Sequence, residues 1–140
     1  PNMEPVVKQN PVAATSSSGR WMWPTNGRII SGFSATDPLR KGIDLAGQLG
    51  EPVVAADSGS VVYAGSGLAG YGELVIIKHN EQFLSAYGHN SKLLIKEGDA
   101  VKAGQKIAEV GSSGTDSNKL HFEIRKDGKP VDPLSYLPKR

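Results

Sequence analysis

Short apolar and β-branched runs, separated by glycine- or proline-containing turns about every 8 to 12 residues, set the tightest limit on what this chain can become. Val53, Val54, Val61, Val62, Val75, Ile76 and Ile77 carry side chains that crowd the preceding turn of a helix and pack well on a pleated surface. With 17 Gly and 9 Pro in 140 residues, breaks come too often for long helices. The pattern predicts an all-β, mostly antiparallel fold. Strands are expected over 28–31, 42–46, 52–56, 60–64, 74–78, 83–87, 106–110 and 120–125, with a single helical turn over 133–137.

A chain of this length suits one domain with a short tail. Residues 1–20 include Thr15, Ser16, Ser17, Ser18 and Gly19 and bury too little apolar surface to offset the entropy of ordering them, so they read as a flexible linker ahead of a domain over 21–140. Trp21, Met22, Trp23 and Pro24 read as an anchor that packs the entrance of that domain. The net charge of +2, with no basic cluster longer than two residues, argues against a nucleic-acid partner. The lack of cysteine removes disulfides, thiolate catalysis and cysteine-held zinc. No apolar run approaches the ~20 residues a helical membrane span needs, so any membrane attachment is expected through an anchor outside this chain. An opening Pro in place of Met leads us to expect a piece of a longer protein.

Two stretches, 53–64 and 95–110, share a strand, glycine turn, strand pattern found in lipoyl and biotinyl carrier domains. Those carriers display a lysine within a Met-Lys-Met or Asp-Lys-Ala tip, and neither tripeptide is present, so the shared hairpin reads as a way of turning sheet corners.

Three segments hold most of the informative polar residues: 39–47 with Arg40, Lys41 and Asp44; 85–90 with Tyr87 and His89; and 119–125 with Lys119, His121, Glu123 and Arg125. Strand alternation puts those last four on one face and Leu120, Phe122 and Ile124 on the other. His79 reads as a structural histidine, Asp57, Asp116 and Asp132 as turn residues beside Gly, Ser or Pro, and 72–83 as a strand pair without chemistry.

In their order and spacing the three segments resemble the LytM or lysostaphin-type zinc endopeptidases, which cut peptide cross-links in bacterial peptidoglycan, over about residues 21–137. Active members carry His-x-Gly-x-Asp, Tyr-x-His and His-x-His, and the five positions read here Arg40, Asp44, His89, Lys119 and His121. The resemblance implies a β sheet curved around a groove, with loops 31–39 and 65–72 as walls. It also implies that the first His, the Asp and the last His would bind zinc. A guanidinium has no lone pair to offer a cation, and an ammonium with a reference pKa of about 10.4 does not exchange protons near neutral pH as an imidazole does. No metal or other cofactor is therefore expected. Asp44 then needs a compensating cation, with Arg40 the first candidate and Lys119 the second.

Within the resembled family the chain looks most like inactive envelope lipoproteins that switch on a periplasmic N-acetylmuramoyl-L-alanine amidase during daughter-cell separation. The expected function is thus a non-enzymatic activator in the periplasm whose partner enters the groove of Arg40, Asp44, His89, Lys119 and His121. A non-catalytic peptidoglycan-binding module and a residual zinc endopeptidase, with His89 as third ligand, stand as alternatives.

Overall fold

The computed structural model describes residues 17–140, so most of the linker expected over 1–20 lies outside the described residues. Ten strands form one sheet: β1 (Ile29–Ser31), β2 (Ile43–Ala46), β3 (Pro52–Val54), β4 (Gly59–Gly65), β5 (Glu73–Lys78), β6 (Phe83–Leu93), β7 (Ala100–Val101), β8 (Lys106–Val110), β9 (Lys119–Lys126) and β10 (Lys129–Val131). They run in the order β1-β2-β9-β6-β5-β4-β7, with β10 on β9 and β8 between β3 and β6. Every pairing is antiparallel. The helical turn is a 3-10 segment, Pro133–Ser135, capped by the Asp132 carboxylate, which accepts from the Leu134 N–H at 3.0 Å.

All eight expected strands are present. The main departure is β6, expected to end at residue 87, which runs on to Leu93. The backbone bends at His89, with φ 67°, but the chain stays in the sheet by changing partners. Residues 83–88 pair with β9, and residues from Asn90 onward pair with β8. The Asn90 side-chain amide donates to the Glu73 and Tyr87 carbonyls at 2.9 and 2.8 Å and holds the bend from within.

The two similar stretches seen in the sequence clasp each other, since β3 pairs with β8 and β4 with β7. Their inward side chains join the main core of Ile43, Leu45, Val75, Ile77, Tyr87, Leu120, Phe122 and Ile124. Both tryptophans serve as anchors. Trp21 sets its ring edge-on to His79, Phe83 and Tyr136, and Trp23 Nε1 donates to the Pro138 carbonyl at 2.7 Å. Asp57, expected as a turn residue, does sit at a bend, and it is fully buried there. Its carboxylate accepts from the hydroxyls of Ser17 and Ser18 and from backbone N–H groups of Ser18, Gly19 and Ser58, fastening residues 17–19 to the domain.

Beneath Trp21, a closed chain of hydrogen bonds crosses the core. His79 Nδ1 donates to the Ser58 carbonyl at 2.8 Å, which leaves Nε2 to accept from Ser85 Oγ at 2.7 Å. Ser85 in turn accepts from the Tyr87 hydroxyl at 2.7 Å, and Tyr87 accepts from the Ala56 N–H at 2.9 Å. Each group donates once and accepts once only if His79 is neutral, and burial accordingly holds its pKa below the ordinary 6.5. Tyr87→Phe strands a buried N–H and should cost about 1 to 3 kcal/mol, read as a lower urea midpoint with unchanged slope. Because the unfolded chain takes up the His79 proton more readily, stability should fall as pH drops below 6.5. Buried His89, whose pKa is also lowered, acts in the same direction, and an unfolding midpoint that is flat between pH 6.5 and about 5 would contradict both assignments.

Candidate functional site

The groove lies on the sheet face opposite the core, and its floor follows from strand register. Asp44 of β2 stands directly across from His121 of β9, Ala46 across from Lys119, and Gly88 of β6 across from His121 on the other side. Residues directly opposite share a face, so burying Leu120, Phe122 and Ile124 forces Lys119, His121, Glu123 and Arg125 to the groove side. A cleft of about 570 Å³ opens above them. As expected, its walls include Pro38 and Leu39 from one loop and Ala69, Gly70 and Tyr71 from another.

A further wall, Gly114 and Thr115, was not anticipated from the sequence. It meets the Tyr71 loop at Gly72 and Gly114, both at positive φ (65° and 71°) and packed so closely that a Cβ on Gly72 would overlap the Ser113 carbonyl. The same Ser113 carbonyl accepts from His89 Nδ1 at 2.8 Å, while the His89 backbone N–H donates to the Tyr71 carbonyl at 2.7 Å. The left-handed bend at His89 thus ties two walls to the floor and turns its imidazole into the cleft.

At the centre, His121 is held between two carboxylates. Nδ1 lies 2.7 Å from Asp44 Oδ1 and Nε2 lies 2.8 Å from Glu123 Oε2. An ionised carboxylate only accepts, so both ring nitrogens carry protons and the ring is an imidazolium. Burial by itself would lower the His121 pKa, but the hydrogen bonds to Asp44 and Glu123, and the charges behind them, outweigh it and push it up to about 9. Burial likewise opposes ionisation of Asp44, yet His121 and then Lys119, whose Nζ is 3.3 Å from Asp44 Oδ2, hold that carboxyl below its usual range.

Glu123 was placed on this face by its alternation but was not named as a site residue. It is only 1% exposed and also binds Arg125 at 2.8 Å and the Tyr71 hydroxyl at 2.8 Å. Burial and then the Glu123 carboxylate push the Tyr71 phenol up to about 12, so it stays a hydrogen-bond donor. The signal that could have found Glu123 was a carboxylate two positions from His121 on the same strand face.

Four of the five expected residues, Asp44, His89, Lys119 and His121, line the cleft together. Arg40 does not. It is exposed, and its Nε donates to the Gly32 carbonyl at 2.8 Å, so the cation that compensates Asp44 is Lys119 beside His121, not Arg40. The reason is local: both Asp44 oxygens are already engaged, Oδ1 by His121 and Oδ2 by Lys119.

A catalytic zinc needs three protein ligands and an open position. Glu123 on Nε2 is the partner that would orient a metal-binding histidine, but a proton fills Nδ1, Lys119 offers no lone pair, and Arg40 points away. Among the described residues no three His, Cys, Asp or Glu side chains are arranged to hold a metal ion. The donor set does not fit zinc.

An antiparallel sheet carrying an incomplete metallopeptidase constellation on its groove face defines a peptidase-like domain whose hydrolytic centre is dismantled. The chain belongs to peptidase family M23, whose model matches residues 38–133. It is 65% identical over 130 residues to the lipoprotein NlpD/LppB homolog of Pseudomonas aeruginosa, covering 93% of this chain and 44% of that protein. It is 57% identical over 120 residues to the murein hydrolase activator NlpD of Escherichia coli, covering 86% of this chain and 32% of that protein. A zinc-containing peptidase from Vibrio cholerae superposes with a TM-score of 0.73 at 32% identity, over 80% of this chain and 38% of that one. The chain therefore spans less than half the length of these curated relatives.

Dialysed against zinc and then metal-free buffer, the domain should retain well below one ion per chain; stoichiometric zinc by elemental analysis would overturn this reading of the donor set. The raised His121 pKa also has a stability signature. The ion pair contributes fully below the unfolded value of 6.5, and its contribution is lost as pH rises towards about 9. A His121→Gln variant should lack that alkaline loss when unfolding midpoints are compared across this window.

Proposed function

We propose that this domain is a non-enzymatic activator of a periplasmic N-acetylmuramoyl-L-alanine amidase, acting in peptidoglycan cleavage at cell separation. The observation that carries the reading is a cleft kept open and ordered while its third zinc ligand is absent and His121 is held as an imidazolium. A peptidase that had merely decayed would have no reason to keep two walls tied to that floor. The relation to NlpD proteins, one of them called a murein hydrolase activator, supports the same conclusion. In this reading the domain of 21–140, with residues 17–19 fastened to it through Asp57, follows a linker in an envelope lipoprotein whose anchor lies elsewhere. A segment of the amidase enters the groove of Asp44, His89, Lys119 and His121, with Arg40 at its outer margin, and binds the open state of the amidase better than the closed one.

The test is stimulation of purified amidase on isolated peptidoglycan. Lys119→Ala removes a half-buried cation whose pairing is desolvated in the complex and should weaken activation by the equivalent of about 1 to 3 kcal/mol. Lys92→Ala and Lys129→Ala alter exposed charges on other surfaces and should change little. Equal activation by all three folded variants would move the partner off the groove.

A further inference from the structure

The groove face does not end at the charged residues. Beyond Tyr71 it continues over β9, β6 and β5 into a pocket of about 200 Å³, lined chiefly by Leu68, Leu74, Ile76, Leu84 and Ala86. Register builds it: Glu123 stands across from Ala86 and Ala86 across from Ile76, while Arg125 stands across from Leu84. Leu74 and Ala86 are buried, yet neither belongs to the main core cluster, because they lie on the opposite face under the loop that carries Leu68. Leu68 itself is 43% exposed at the edge. Glu123 and Tyr71 line both the charged cleft and the apolar pocket, so the two adjoin across the Tyr71–Glu123 hydrogen bond.

The charges of the combined surface have a sign. Lys41, Lys119, imidazolium His121 and Arg125 face it against only two carboxylates, Asp44 and Glu123. A ligand that complements this surface brings negative charge to the Lys119 end and an apolar group to the Leu68 end. Lys119 and Glu123 are four residues apart on one strand, which separates the two ends by about 13 Å.

We propose that the groove has two subsites and receives a protein segment with a carboxylate side chain for the Lys119 end and a large aliphatic or aromatic side chain for the pocket under Leu68. This rests on the reading that an amidase segment enters the groove, and it adds what that segment must carry. Apolar side chains set in a desolvated pocket supply much of the energy of protein interfaces, while flanking charges set register and encounter rate. Peptidoglycan stem peptides carry carboxylates too, but their apolar side chains are the methyl groups of alanine and leave most of the pocket unfilled, so the pocket favours a protein occupant.

The experiment measures calorimetric binding of purified amidase, and retention on isolated sacculi, for the wild-type domain and three variants: Leu68→Asp on the exposed loop, Ile76→Gln on the pocket floor, and Lys119→Ala. Thermal melting establishes first that each is folded, and Leu68→Asp carries the test if Ile76→Gln is not. The expected result is at least tenfold weaker amidase binding by Leu68→Asp and Ile76→Gln with unchanged retention on sacculi, and a shallower salt dependence for Lys119→Ala. Wild-type amidase binding by the two pocket variants with weakened binding by Lys119→Ala overturns the apolar subsite and leaves the groove reading in place. Wild-type binding by all three overturns both. Loss of sacculus retention in the pocket variants assigns the pocket to peptidoglycan and overturns the protein occupant.

Discussion

The antiparallel register between β2 and β9, which sets Asp44 opposite His121, is the constraint from which the site follows. Side chains alternate with a period of two, so a slip of one residue would put Phe122 in the cleft and His121 in the core. That slip is resisted on both edges of β9, by β2 and β10 on one side and β6 on the other. Burial of Leu120, Phe122 and Ile124 on one face specifies the position of Lys119, His121, Glu123 and Arg125 on the other. The groove is therefore as firmly placed as the core, although no part of the core touches the cleft.

Across that register a proton stands where a related peptidase would place a metal. Two carboxylates on one floor and largely withdrawn from water need positive charge, and here it comes from His121, Lys119 and Arg125. The arrangement meets the general requirement for buried ions, since each charged group has a partner and the remaining lone pairs are largely occupied by Tyr71 and by the second oxygen contacts. Because Asp44 has a substitute cation, losing a zinc ligand at position 40 does not leave an uncompensated charge in the floor. That is a physical route by which a metal centre can be dismantled while its cleft stays ordered.

The sequence showed the strands well because β-branched runs between glycine turns carry their own periodicity, and it showed the site where three motifs converge. It failed where tertiary contact overrode local pattern. The strand expected to end at Tyr87 continues to Leu93, because the bend at His89 is absorbed within β6 by an exchange of partners, which no local signal reports. Asp57 beside Ser58 and Gly59 has the composition of a turn, and nothing local reports that serines about forty residues upstream bind its carboxylate. Arg40 was expected over Asp44 because it occupies a ligand position, and strand alternation could not tell that Lys119 and His121 would satisfy that carboxylate first. The wall at Gly114 escaped notice because its role depends on contact with Gly72, more than forty residues upstream.

The three histidines share burial and differ in their partners, and the partners decide which ring escapes the effect of burial. Burial alone disfavours the imidazolium in every case. His79 faces a carbonyl and a hydroxyl, and the hydroxyl can donate, so the ring stays neutral and completes a chain of hydrogen bonds in the core. His89 has one carbonyl partner on Nδ1 and keeps a lone pair on Nε2. His121 faces two groups that can only accept, and its ring must supply both protons. The groove consequently holds at its centre a cation whose two N–H groups are both engaged, by Asp44 and Glu123, and beside it a neutral acceptor, His89 Nε2. Neither histidine could exchange these roles without moving the strand or loop that carries its partner, so the polarity of the groove is a property of the fold.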